Sequence, residues 1–230
     1  MRIYRNFKEA LAEIKRDLAE MGIHVHPQTY QDQFVGDNPD FETLELQNYI
    51  YTVTHPTNDD LEPTQPWAEA EWGERCIGIN GKGCINPGTA WQLRKDVWEQ
   101  FIQPNGKFAY TYCERFGLFE QVLRVIDRLQ KDPSSRQLFI GMWNASDSTK
   151  LGGISRVPCS LGYYVQCRRN ALHLTYLQRS ADFVTHFVND VYLAYSLQYF
   201  IADRVQMDIG TFTHWIGSLH IFAKDTKGVF

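Results

Sequence analysis

The sequence predicts an α+β fold organised as one domain around a large sheet, and three observations carry that prediction. Helical stretches interleave with runs that are mostly capable of antiparallel pairing. Two such runs, LGYYVQCR and ALHLTYLQ, meet at a two-residue turn, Arg169-Asn170. A chain of 230 residues with 43% hydrophobic and 14% aromatic content is long enough to bury a core without staples. The whole span 1–230 is therefore read as a single domain.

Taken in order, Phe7, Leu11, Ile14, Leu18 and Met21 recur every three to four residues between charged ones, which is the pattern of an amphipathic helix. Residues 27–43 are polar, turn-rich and acidic, and LELQNYIYTVT then alternates as a half-buried strand. After the loop HPTNDDLEPTQP, Trp67 to Glu74 has helical composition. The glycines of GINGKGCINPG read as turns, because a phosphate loop requires a preceding strand and a Lys-Ser/Thr ending that are not there. Leu118 to Leu129 is apolar on one helical face, and KDPSS ends it before a strand, RQLFIGMWN. A Lys-Leu-Gly-Gly turn follows, then the strand pair, a long apolar helix from Phe183 to Val205, and a last strand, TFTHWIGSLHIF.

A net charge of −4 without a basic cluster disfavours binding of a nucleic-acid duplex, although a few arginines suffice for one nucleotide. The five cysteines are odd in number and lack a C-x-x-C pair, which argues against a disulfide framework and against a zinc ribbon. A reducing cytoplasm is the expected compartment, and no metal is expected. The N-terminal stretch has no uninterrupted apolar run, so neither a signal peptide nor a membrane span is expected.

The chemistry concentrates between Arg156 and Asp190. Cys159 follows a proline at the mouth of a strand, where positive charge from Arg156 and Arg179 can act on its thiolate. The other cysteines, Cys76, Cys84, Cys113 and Cys167, read as inert. EAEW at Glu69 to Trp72, DPSSRQLFIGMWN at Asp132 to Asn144, VPCS around Cys159, YLQRSAD ending at Asp182 and GSLHIF ending at Phe222 occur in one order. Together they resemble the thymidylate synthase family over roughly two thirds of the chain.

That resemblance implies a thymidylate synthase-like fold with a large mixed sheet flanked by helices, and a homodimer formed through the sheet. It also implies one-carbon transfer from 5,10-methylenetetrahydrofolate to C5 of a pyrimidine nucleotide. Cys159 would add to C6, turning an unreactive C5 into an enamine-like or enolate-like nucleophile. Glu69 would manage proton transfers through ordered water. Arg179 and Ser180 would hold the 5′-phosphate, with Arg136 reaching the same phosphate in the partner site. His220 would contact the ribose, and Asp182 the folate. Tyr110, Trp91 and Trp143 are expected along the pocket.

Asp190 falls where thymidylate synthases carry an asparagine that reads uracil. An amide offers a donor and an acceptor to O4 and N3–H; a carboxylate instead accepts from the N4 amino group of cytosine and can share a proton with N3. The pair Asn189-Asp190, together with EAEW and GSLH, is similar to the phage deoxycytidylate hydroxymethylases. The implied reaction is therefore 5-hydroxymethylation of dCMP, ended by water instead of hydride and serving the synthesis of modified DNA. A dUMP hydroxymethylase, a methylase of the thymidylate synthase type and a non-catalytic nucleotide-binding homologue stand as alternatives.

Three features depart from the family pattern. Gln137 stands where a second phosphate arginine is usual, and FVGDNPDF carries no basic residue where another is expected. Phe222 replaces a tyrosine whose hydroxyl would touch the sugar, leaving deoxyribose and ribose both open. Only eight residues follow Phe222, fewer than the segment that closes over folate, which fits a site open to water.

Overall fold

The computed structural model describes residues 1–30, 33–151 and 156–230. Its elements in chain order are β1 (Arg2–Tyr4), α1 (Phe7–Met21), β2 (Ile23–Val25), β3 (Thr29–Tyr30), β4 (Gln33–Phe34), β5 (Thr43–Val53) and α2 (Trp67–Ile79). Then come α3 (Lys95–Trp98), α4 (Tyr112–Gly117), α5 (Gln121–Lys131), β6 (Phe139–Gly141), β7 (Ser160–Arg168), β8 (Ala171–Asp182), α6 (Phe187–Val205), β9 (Asp208–Phe222) and α7 (Ala223–Thr226). The expected Lys150-Leu151-Gly152-Gly153 turn lies partly outside the described residues.

A seven-stranded mixed sheet forms the frame, in the order β1-β5-β9-β8-β7-β6 with β2 added beside β5. β5 runs antiparallel to β9, whereas β8 and β9 are parallel and set the register of the site, bringing Ser180 beside Ser218 and Asp182 beside His220. Gly217 permits this approach, since a Cβ there would lie 2.8 Å from the Arg179 carbonyl oxygen. β7 and β8 turn at Arg169 and Asn170, both with positive φ, the geometry that a two-residue hairpin of matching twist demands.

Helices cover one face of the sheet. Asn6 caps α1 by accepting from the Glu9 N–H, and the helix buries Phe7, Ala10, Ile14 and Leu18. α6 buries residues around most of its circumference, from Phe187 and Val191 to Ile201, as a helix in the interior of a domain must. Each fully buried Leu or Phe contributes roughly 1.5–3 kcal/mol of transfer free energy, so this helix anchors the sheet.

Several boundaries shift from expectation, each for a local reason. α6 begins at Phe187 rather than Phe183, because the Asp182 carboxylate accepts the N–H groups of Val184 and Thr185 and holds a turn there. The helix expected from Leu118 starts at Gln121, since Phe119 and Glu120 take left-handed conformations. The strand expected over 136–144 is confined to Phe139–Gly141; Met142 and Trp143 both donate to the Leu161 carbonyl, and Asn144 opens a short turn.

The cysteine reading is corrected. Cys84 and Cys113 form a disulfide with Cα atoms 5.8 Å apart, while Cys76, Cys159 and Cys167 are free. An odd count excludes only complete pairing, and two cysteines distant in sequence meet where α4 lies against α2. Their approach relies on Gly78, where a Cβ would fall 2.0 Å from the Cys113 carbonyl oxygen. Closing a loop of 29 residues stabilises a chain by roughly 3–4 kcal/mol in the chain-entropy account. Thermal melts should show a lower Tm for Cys84→Ser, and a Tm that responds to reductant in the wild type but not in the variant.

Candidate active site

Cys159 opens β7 at the wall of a cavity of about 500 Å³ that draws its lining from β5, β8, β9, the start of α6 and the segment 98–112. Arg179 clamps this entry. Its Nε donates to the Pro158 carbonyl at 2.9 Å, and its Nη2 reaches the Val157 carbonyl and, at 3.8 Å, the Cys159 sulfur. Burial pushes the Cys159 thiol up; Arg179 and Arg156 oppose that rise, while Asp190 and Asp182 add to it. The sulfur at rest is therefore protonated, and its ionisation depends on the balance of charge around it.

Asp190 lies half-buried on the first turn of α6, facing the same cavity. Burial raises its pKa from 3.8 to about 6; Gln178, Arg75 and Arg94 pull it down, and Asp182 pushes it up. Gln178 donates to its Oδ2 at 2.7 Å. Behind Gln178 the polar groups continue inward: His214 Nε2 lies 3.0 Å from Gln178 Oε1, and His214 Nδ1 lies 3.1 Å from the Tyr51 hydroxyl. The His214 ring stacks between Tyr176 and Phe187, with centroids 4.5 and 5.7 Å away.

The rest of the wall is mixed in character. His220 faces Glu45 across the β5–β9 pair, and Ser218 donates to Glu45. Tyr30 packs edge-on against Phe222, so the wall is aromatic where the family pattern would place a hydroxyl. His186 lies 5.6 Å from Trp98, and burial lowers its pKa to about 4, keeping it neutral. Tyr112 accepts from the Ser160 N–H, and Arg156 covers the rings of Phe101 and Trp98. At this end of the cavity Trp98 offers a ring and Asp182 a carboxylate, groups that suit a flat heteroaromatic co-substrate.

Of the residues expected in the site, the fold brings Cys159, Arg179, Ser180, Asp182, Asp190, His220 and Tyr110 to this cavity. Others it does not. Glu69 sits exposed on α2, outside this cavity, and bonds to Gln65. Asn189 turns away from the cavity and ties α6 to the Thr64 backbone and hydroxyl. Trp91 packs edge-on against Phe108, and neither it nor Trp143 lines the cavity, where Trp98 stands instead. Arg136 lines a separate cavity of about 570 Å³ with Arg128, Arg168 and Gln137.

Residues 86–229 match the family model of thymidylate synthase, and the chain belongs to that family. It is 34% identical over 145 residues to a protein of Methanosarcina barkeri named "Putative thymidylate synthase", and 31% identical over 122 residues to one of the same name from Methanococcoides burtonii. The matches cover 60% and 51% of this chain, and 65% and 55% of those relatives, so the chain spans less than two thirds of their length. The thermostable thymidylate synthase A of Bacillus subtilis superposes with a TM-score of 0.75 at 20% identity, covering 97% of this chain and 82% of that one. That likeness establishes the thymidylate synthase fold.

Two stability effects follow from the site. A carboxyl whose pKa is higher folded than unfolded loses its proton first in the unfolded chain, so stability falls as pH rises from about 4 to 6. Asp190→Asn should gain roughly 2–3 kcal/mol at pH 7.5 and nothing near pH 4, measured by urea unfolding at both pH values. On α2, Glu71 pairs with buried Arg75 at 2.9 Å. Glu71→Gln should cost roughly 3 kcal/mol and Glu69→Gln within about 0.5 kcal/mol, by the same assay.

Proposed function

We propose that this chain is a cytidylate 5-hydroxymethylase that joins the one-carbon unit of 5,10-methylenetetrahydrofolate to C5 of a cytosine nucleotide, dCMP being the substrate named from the sequence. One observation carries the reading: a carboxylate, Asp190, faces the cavity that also holds Cys159 and Arg179. Family membership supports the general chemistry, and the acid in place of an amide supports cytosine.

In this proposal Cys159 adds to C6 of the ring, and Arg179 supplies charge beside both the sulfur and the substrate phosphate. Arg156 and Lys150, also on the cavity wall, offset the missing basic residues noted in the sequence. Asp190 accepts from the N4 amino group. With a pKa near 6 it can share the proton that N3 takes up as the ring becomes electron-rich. Bound folate supplies the methylene carbon and departs as tetrahydrofolate. Water then adds to the exocyclic carbon at C5, the proton from C5 having left, and expulsion of Cys159 restores the ring; no hydride is consumed. Tyr112, kept neutral by burial, lies beside Ser160 and can order that water. The product would feed synthesis of modified DNA, in keeping with the resemblance of Asn189-Asp190, EAEW and GSLH to the phage deoxycytidylate hydroxymethylases.

A methylase of the thymidylate synthase type is the second reading, favoured by the names of the archaeal relatives. A homodimer is part of the proposal. The sheet face bearing Ile50, Thr213, Trp215 and Leu177 lies opposite the buried residues of the same strands, and Arg136 would reach a partner's phosphate from there. We propose one domain over 1–230, acting in the cytoplasm; among the described residues no helix is long and apolar enough to cross a membrane.

The test is release of tritium from C5-labelled dCMP and dUMP in the presence of methylenetetrahydrofolate, with products weighed by mass spectrometry. The proposal expects release from dCMP, a 5-hydroxymethyl product and no dihydrofolate; a methyl product with dihydrofolate selects the second reading. Cys159→Ala should abolish release, whereas a binding homologue would show none in the wild type. Asp190→Asn should move the ratio of kcat/KM for dCMP over dUMP by about 100-fold towards dUMP, since a mismatched buried polar contact costs roughly 1–3 kcal/mol at each partner. For the wild type, kcat/KM for dCMP should fall as pH drops through about 6, where Asp190 takes up a proton.

A further inference from the structure

Asp190 is held by a chain of polar groups that runs into the core. Gln178 can donate to the carboxylate only through its amide nitrogen, so its carbonyl must point the other way and accept. The group it meets is His214 Nε2, which must therefore carry the ring proton. His214 Nδ1 is then an acceptor, and the Tyr51 hydroxyl, fully buried beside it, is its donor. Each link allows one orientation once the carboxylate is ionised. The two strands supply this by simple alternation: Leu174, Tyr176 and Gln178 on β8 and Phe212, His214 and Ile216 on β9 all face the core.

We infer that His214, with Tyr51 behind it, is a positioning residue for base choice: by fixing the Gln178 amide it keeps Asp190 an ionised acceptor, and so commits the site to the amino group of cytosine. This rests on the cytosine reading above. A protonated carboxyl presents a hydroxyl donor beside a carbonyl acceptor, the same pair that an asparagine amide offers to uracil. The relay thus decides whether position 190 behaves as a carboxylate or as an amide mimic. Burial holds His214 neutral, with a pKa of about 3, so the relay stays in one protonation state wherever the enzyme works.

The other groups acting on Asp190 come from every side: Arg75 on α2 and Arg94 before α3 favour the anion, whereas Asp182 at the end of β8 disfavours it. The ionised forms of Cys159, Tyr112, Tyr163 and Tyr176 are in turn disfavoured by Asp190. None of these reaches Gln178 Oε1. Only His214 does, among the described residues.

His214→Phe keeps a ring between Tyr176 and Phe187 while removing both hydrogen bonds. With folding checked by circular dichroism and Tm, the acid limb of kcat/KM for dCMP should move up by about one pH unit, because a donor to the charged form is lost. The dCMP to dUMP preference should fall about tenfold, mainly through KM for dCMP. His214→Gln, which supplies an N–H and a carbonyl, should restore both. In the wild type, nitrogen-15 NMR of the imidazole should report the Nε2–H tautomer. A folded His214→Phe protein with an unchanged acid limb and base preference would overturn the inference, as would an Nδ1–H tautomer. If the wild type prefers dUMP, the cytosine reading fails; the pH limb, followed with dUMP, and the tautomer still decide whether His214 governs Asp190.

Discussion

Cys159 and Asp190, which can each ionise to an anion, line one cavity of about 500 Å³, and the surrounding structure is arranged to tolerate this. An Asp190 carboxylate raises the cost of ionising Cys159, and by reciprocity a Cys159 thiolate would raise that of ionising Asp190. Coulomb repulsion at such distances is strong where water is scarce. The compensation is distributed: Arg179 and Arg156 stand near the sulfur, Arg75 and Arg94 near the carboxylate. Each of these arginines is itself held by the fold, Arg179 by the carbonyls before Cys159, Arg75 by Glu71, Arg94 by the Thr185 carbonyl, and Arg156 against the rings of Phe101 and Trp98. The outcome is a protonated sulfur beside a carboxyl whose pKa burial raises to about 6.

The parallel pairing of β8 with β9 converts that electrostatic arrangement into geometry. It sets Asp182 against His220 and Ser180 against Ser218, and it delivers Gln178 and His214 to the inner face one layer below the cavity. Stacked rings from Phe116 through Tyr163, Tyr176 and His214 to Phe187 fill that layer. Such a stack is stiff, because offset aromatic pairs gain energy only over a narrow range of approach. The polar relay therefore has little freedom to tilt.

What could be read in the sequence was decided by how far each residue's orientation depended on local chain geometry. Asp182 and His220 sit on strands in step with Gln178 and His214, where alternation fixes the face, while Cys159 and Arg179 were named by contiguous motifs; all four line the cavity. Helical positions were less legible, since neighbours point about 100° apart. Thus Asp190 reaches the cavity while Asn189 secures a loop, and on α2 it is Glu71 rather than Glu69 that turns inward. Trp91 and Trp98 lie in a segment of short, broken helices without a sustained period, so the sequence could not choose between them. His214 was missed because a histidine in an alternating strand looks unremarkable; a polar residue at an inward position on each of two neighbouring strands was the available signal.

The disulfide bears on the chemistry of Cys159 in a way that packing does not suggest. Cys113 follows Tyr112, whose hydroxyl accepts from the Ser160 N–H, so α4 connects the bridged pair to the segment that carries Cys159. Thiolates attack disulfides, and the rate follows the fraction of thiolate present. A sulfur at position 159 ionised at all times would be open to exchange with disulfides and to capture as a mixed disulfide. Burial that keeps that sulfur protonated keeps the thiolate fraction low, so one chain can hold an oxidised pair and a free thiol together.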